Sequence, residues 1–351
     1  MAENTFAGRI LAWFAENGRK DLPWQRNPTA YRVWVSEIML QQTQVATVIP
    51  YYERFMQSFG DIRSLAAADT DAVLHYWSGL GYYARARNLH EAARIVRDRF
   101  AGEFPADFAD VVALPGIGRS TAGAILALSR GERYAILDGN VKRVLARFYA
   151  IPGWPGTTSV ANMLWEKAEL HTPSESVASY TQAIMDLGAT ICTRTKPRCD
   201  SCPLAADCAA HAAGTETGFP GKRAKANRPR RRTHMLLVHC DNTVYLERRP
   251  ACGIWGGLWS LPELDSAAGI ADWCASKFNT GPERVENWEV LSHSFTHFEL
   301  DIQPIAVLVR RPATMVADDA DSTWYEAGSS RQLGIAAPVA QLLRNFAGAM
   351  T

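Results

Sequence analysis

Four of the chain's seven cysteines, Cys192, Cys199, Cys202 and Cys208, crowd into one short stretch at the spacing C-x6-C-x2-C-x5-C, with Pro203 directly after the third. Thiolates converging from a single loop are metal ligands. A disulfide framework would spread its cysteines through the fold, so a reducing compartment fits better. Structural zinc sites usually pair two short C-x2-C units, and only one is present here. A cubane iron–sulfur cluster tolerates uneven spacing and often has proline beside a ligand. The spacing favours one [4Fe-4S] cluster and leaves zinc as the alternative.

Acid–base chemistry has two candidates. Glu37 lies four residues after Val33 and three after Trp34, on the apolar face of a helix. Burial there raises a carboxyl pKa and keeps the group protonated near neutral pH, as a general acid requires. Asp138 stands in Ile136-Leu137-Asp138-Gly139-Asn140, ahead of an apolar helix. Such an aspartate is usually an N-cap, but a carboxylate there is also able to stabilise a cationic sugar. Between the two runs Leu114-Pro115-Gly116-Ile117-Gly118-Arg119-Ser120-Thr121-Ala122. Gly116 and Gly118 allow a tight turn, and the helix behind them offers free N–H groups to a phosphate. With no strand before it the segment is not a dinucleotide site; it looks like the helix–hairpin–helix that grips one DNA strand. Gln41, Gln42 and Gln44 suit base edges or a gap in a base stack. Tyr82 and Tyr83, flanked by Gly79, Gly81, Arg85 and Arg87, suit contact with bases and phosphates.

These groups need a scaffold. The 351 residues are 47% hydrophobic and 21% charged, a globular composition that excludes disordered, fibrous and coiled-coil classes. No apolar run approaches the roughly 18 residues of a membrane span, and the N-terminus lacks a signal-peptide layout. An intracellular, cytoplasmic protein without a membrane partner is expected. The net charge of +1 conceals seven basic and no acidic residues in 222–232, and a net −6 in 233–351. The basic run is either a solvated linker or a phosphate contact.

Helical periodicity at Val141, Val144, Leu145 and Phe148, and again at 177, 180, 184 and 187, marks the first 210 residues as all-α. Alternation over 234–240 and 243–248 around Asp241-Asn242 predicts a hairpin. A helix at 267–278, strands near 287–292, 298–309 and 322–326, and a helix at 336–347 follow. The expected organisation is an all-α domain at 1–213, with its hairpin at about 110–130 and its cysteine loop at 192–208. A linker at 214–232 and a smaller α+β domain at 233–351 complete it.

Leu22-Pro23-Trp24, the run Ser36-Glu37-Ile38-Met39-Leu40-Gln41-Gln42-Thr43, the hairpin, Leu137-Asp138-Gly139-Asn140-Val141-Lys142-Arg143 and the four cysteines resemble, over nearly the whole chain, the MutY adenine DNA glycosylases of the helix–hairpin–helix, iron–sulfur glycosylase superfamily. The resemblance implies a monomer that binds double-stranded DNA, flips adenine opposite 8-oxoguanine or G, and hydrolyses its glycosidic bond to leave an abasic site. Glu37 would protonate adenine N7, Asp138 would stabilise the oxocarbenium ion, and Asn140 would orient Asp138. Trp24 and Gln182 would border the pocket, and Gln42 and Tyr82 would wedge beside the lesion. Strand-cleaving relatives carry Lys where this chain has Ser120, and a hydroxyl forms no Schiff base.

The C-terminal domain resembles a Nudix fold, with Gly257 and Glu263 at the start of the hydrolase box. Ala271-Asp272 stands where Arg-Glu would, and no glutamate pair follows. Magnesium lacks its oxygen ligands, so this domain is expected to recognise rather than hydrolyse. Phe295-Thr296-His297 occupies the place of the family's Phe-Ser-His lesion-sensing loop. The competing readings are a strand-cleaving pyrimidine-lesion glycosylase and a non-catalytic iron–sulfur DNA-binding protein.

Overall fold

The computed structural model describes residues 5–223, 227–295, 297–310, 321–326, 329 and 331–350. Contacts divide the chain into two units, Met1–Ala67 with Asn88–Ala224, and Ala68–Arg87 with Lys225–Thr351. Among the described residues no helix is long and apolar enough to cross a membrane.

The first unit is helical, as its periodicity predicts. Helices α1 (Phe6–Asn17), α2 (Ala30–Leu40), α3 (Val45–Ser58) and α4 (Ile62–Ala67) precede α5 (Thr70–Trp77), which belongs to the second unit. The boundary falls within α6 (Ala84–Arg99), after Arg87. Then come α7 (Phe108–Val112), α8 (Arg119–Arg130), α9 (Gly139–Phe148), α10 (Thr158–His171), α11 (Val177–Asp186) and α12 (Ala209–Ala212). The stripes that predicted α9 and α11 do pack: Val141, Val144, Leu145, Tyr180, Ile184 and Leu187 share a core with Ile10 and Leu164. Thr5 caps α1, Thr29 caps α2 and Asp138 caps α9, each accepting from amides of the first turn. Such a cap stabilises a helix by about 1 kcal/mol.

The second unit is built on a mixed sheet. Its strands are β1 (Arg230–Cys240), β2 (Thr243–Arg248), β3 (Trp259–Ser260), β4 (Glu263–Leu264), β5 (Pro282–Asn287), β6 (Leu291–Ser294), β7 (Glu299–Val309) and β8 (Ser322–Glu326). The order is β3-β2-β1-β7-β5, with β4 on β1, β6 on β7 and β8 on β2. The expected hairpin is present, Cys240 facing Thr243 across Asp241 at φ +51°. The long central pair β1–β7 is parallel, from Arg230 opposite Glu299 to His239 opposite Leu308. Helix α13 (Ile270–Phe278) packs Ile270 and Cys274 on Leu236, Val238, Ile305 and Val307, and α14 (Ala337–Met350) closes the chain.

Two stretches differ from expectation. The strand expected near 287–292 is divided between β5 and β6, which pair with opposite halves of β7. The change of partner occurs at Pro304, which has no N–H to donate, while its carbonyl accepts from Trp288 N at 3.0 Å. The segment expected as linker contains a short helical turn at Glu216–Gly218 and the first residues of β1. Arg147 Nε donates to the Glu216 and Phe219 carbonyls at 2.8 and 3.1 Å, and Arg230–Arg232 lie in β1.

Residues 68–87, expected inside the all-α domain, group with the C-terminal residues. Arg248 Nη2 lies 2.7 Å from Asp71 Oδ2, and Ser78 Oγ donates to the Ile335 carbonyl at 2.9 Å.

Candidate active site

Glu37 sits in the last turn of α2, where Val33, Trp34, Val35, Ile38 and Met39 are buried around it. Its half-buried carboxyl opens into a cavity of about 770 Å³ within the first unit, together with Asp138, Asn140 and Ser120. Trp24, Gln41, Gln42 and Gln182 line the same space. That volume lies within the range of ligand-binding clefts. Eight residues predicted from scattered motifs therefore converge.

The two carboxyls differ in environment. Glu37 is pushed up to about 8, first by burial and then by the negative charge of Asp138. It carries a proton at neutral pH. Burial also raises Asp138, but Val141 N and Asn140 N donate to its Oδ1 at 2.8 and 3.0 Å, and Asn140 Nδ2 donates to Oδ2 at 3.0 Å. These donors and the Arg143 charge favour the ionised form and pull against burial. Asp138 is thus an N-cap and a cavity carboxylate at once. A protonated acid facing a hydrogen-bonded carboxylate is the division of labour found where a bond breaks with charge separation.

The supporting groups were less legible. Arg143 Nη2 donates to Asn140 Oδ1 at 2.8 Å and to the Gly188 carbonyl at 2.6 Å, while its Nε donates to the Cys192 carbonyl at 2.7 Å. Gly188 belongs to a π-helical turn, Leu187–Ile191, that continues α11. A Cβ at Gly188 would lie 2.6 Å from Asn140 Cβ, so only glycine permits this approach. Gln182 Nε2 donates to Asp186 Oδ1 at 2.8 Å, and Asp186 in turn accepts from Arg19 N, Nε and Nη2. The i, i+4 spacing of Gln182 and Asp186 marks one helix face, whereas nothing local announces Arg19. Ser120 Oγ accepts from Leu137 N at 2.9 Å, tying α8 to the turn that carries Asp138.

At the hairpin Gly116 has φ +79°, and a Cβ there would meet Asn88 Cβ at 3.0 Å. Gly118 caps α8, and Gln41 Nε2 approaches the Gly116 carbonyl at 3.5 Å. The remaining expected contacts lie in the second unit. Tyr82 is 45% exposed with φ +51°. Phe295 stacks on Phe298 at 4.5 Å, and His297 is exposed. Thr296 lies outside the described residues. Arg87, read from sequence as a phosphate contact, donates instead to the Gly256 carbonyl.

Cys192, Cys199, Cys202 and Cys208 are unpaired and line one pocket with Arg147, His211 and Glu216. Buried Arg147 donates to Cys192 Sγ at 3.2 Å and to the carbonyls of Thr193 and Arg194. His211, Glu216 and Cys199 place their ligand atoms within 4.8 Å of one another. Burial pushes the Cys199 and Cys202 thiols up to about 11, so without a cation they hold their protons at neutral pH. Four convergent soft donors, none in a disulfide, fit a metal centre.

Comparison with known proteins agrees with this geometry. Residues 35–170 match the HhH-GPD superfamily of base excision DNA repair proteins, and residues 233–345 match the NUDIX domain. The chain is 38% identical over 346 residues to the adenine DNA glycosylase of Buchnera aphidicola subsp. Acyrthosiphon pisum, covering 99% of each. It is 35% identical over 319 residues to the Homo sapiens adenine DNA glycosylase, covering 75% of this chain and 58% of that one. A solved thermostable thymine-DNA glycosylase is similar to 59% of this chain over 95% of its own length, at 27% identity and TM-score 0.54. With two carboxyls in one cavity and a relative aligned over 99% of both chains, the chain belongs to the adenine DNA glycosylase family.

Proposed function

We propose that this enzyme excises adenine opposite 8-oxoguanine, and opposite G, from double-stranded DNA by acid-assisted hydrolysis. One observation carries the reading: Glu37 and Asp138 share one cavity, where burial raises Glu37 to about 8 while amide donors and Arg143 oppose the same effect of burial at Asp138. Glu37 donates its proton to N7 of the flipped adenine, which weakens the glycosidic bond. Asp138, held by Asn140 and the α9 amides, stabilises the oxocarbenium ion until water adds. Trp24 and Gln182 border the base, and Gly116, Gly118, Ser120 and Gln41 meet the strand at the hairpin. Gln42 and Tyr82 wedge beside the lesion, and Phe295, Thr296 and His297 sense the opposite base. Ser120 has no amine to attack the sugar, so the reaction stops at the abasic site.

The four cysteines would hold one [4Fe-4S] cluster, which would supply structural cohesion and a redox-capable centre. The protein works as a monomer, inside the cell and on DNA.

The test is incubation with a duplex containing one A opposite 8-oxoguanine, then alkali to cut at abasic sites. Cleavage only after alkali is expected. Cleavage without alkali, or none with it, overturns the reading. Iron and zinc analysis of anaerobically purified protein tests the metal, with about four irons expected.

A further inference from the structure

We propose that Arg87 and Trp255 are positioning residues for discrimination of the opposite base, forming a strut inside the second unit that joins the Tyr82 loop to the Phe295–His297 loop. The inference rests on the reading that these two loops meet the lesion.

The path is continuous. Trp77 Nε1 and Arg85 Nη2 both donate to the Gly81 carbonyl at 3.1 Å, and Gly79 N donates to Tyr83 Oη at 3.2 Å. The loop is thereby fixed while Tyr82 projects outward. Arg87 N donates to the Tyr83 carbonyl at 3.1 Å, and Arg87 Nη1 donates to the Gly256 carbonyl at 2.6 Å. Burial lowers the Arg87 pKa, so this guanidinium has given up hydration to make the contact.

Next to Gly256, buried Trp255 has φ +54°, a backbone conformation that bulky residues rarely adopt. Arg249 Nε holds the turn through the Ile254 carbonyl at 3.1 Å, and its guanidinium lies 5.7 Å from the Trp255 ring centroid. That ring packs at 5.2 Å on Phe295 and 5.5 Å on His293. A side chain forced into this backbone to reach the sensing loop is a support, not ordinary filling.

The experiment compares single-turnover rates of the full-length protein on A opposite 8-oxoguanine and on A opposite G. Arg87→Met should reduce the ratio of the two rates about tenfold, the worth of one charge-assisted hydrogen bond. The rate on A opposite G should change little, and Arg87→Lys, which keeps a donor, should restore most of the ratio. Trp255→Ala should lower the ratio as well, and Trp255→Phe less so. If Arg87→Met keeps the full ratio, or slows both duplexes equally, the strut is overturned while the lesion reading stands. A wild-type protein with no preference overturns the lesion reading and the strut with it.

Discussion

A proton on Glu37 and a negative charge on Asp138 are the two states that the proposed reaction needs together. Glu37→Gln keeps the shape but its amide is too weak an acid to transfer a proton, and Asp138→Asn removes the countercharge. Either should slow adenine release by about a thousandfold or more while duplex binding persists. Near-normal single-turnover rates in either variant would remove that residue from the mechanism. The pH dependence follows from the sign of the shifts. Glu37 is raised to about 8 and must be protonated, so the rate should fall as pH climbs through that value. Asp138 must be ionised, and its raised pKa places the acid-side loss above the usual aspartate range. A rate that is flat between pH 7 and about 9 would sink Glu37 as the acid. Arg19→Ala tests the support beneath Gln182. Asp186 is buried and would lose its cationic partner. Thermal or urea unfolding should register a loss of about 3 kcal/mol. Glu37 and Asp138 were legible because each sits in a local pattern, an apolar face and a helix start. Arg19 was not, since its partner is 167 positions away.

The elements show the same division. Helices α9 and α11 and the β1–β2 hairpin were readable because period and turn chemistry are local. The π-helical turn Leu187–Ile191 was not: its sequence continues the stripe of α11, and nothing local announces the close approach of Gly188 to Asn140. Gly188→Ala should therefore reach the active site through its neighbours. The added methyl must push Asn140 or the turn, so the excision rate should drop at least tenfold. Binding to a duplex with a non-excisable adenine analogue should change less. If binding and rate fall together, the turn is a general support and not an aligner of Asn140. The β5–β6 partition escaped notice for a similar reason, since Pro304 bears on Trp288 across the sheet.

The whole molecule departs furthest from what sequence order conveys. Motif order places the proposed catalytic residues, the hairpin and the four clustered cysteines within residues 1–225. Yet residues 68–87 group with the C-terminal residues, and Leu74 lies so close to Gly334 that a Cβ there would be 2.5 Å from its own Cβ. Removing 226–351 should weaken the preference for A opposite 8-oxoguanine over A opposite G about tenfold. It should also lower the melting temperature of the remainder, because Leu74 loses that cover. An unchanged melting temperature would show that residues 68–87 stand without the C-terminal part.

A body assembled from two distant stretches of chain has a genetic consequence. Asp71 and Arg248 are encoded far apart yet meet at 2.7 Å, so a charge change at one is felt at the other. A crossover between related genes that falls between the two codons would join halves fitted to different partners. The hybrid protein could carry every residue of the proposed chemistry and still be impaired. Exchange of both stretches from one parent would avoid the mismatch, and so would a compensating reversal of charge at the two positions.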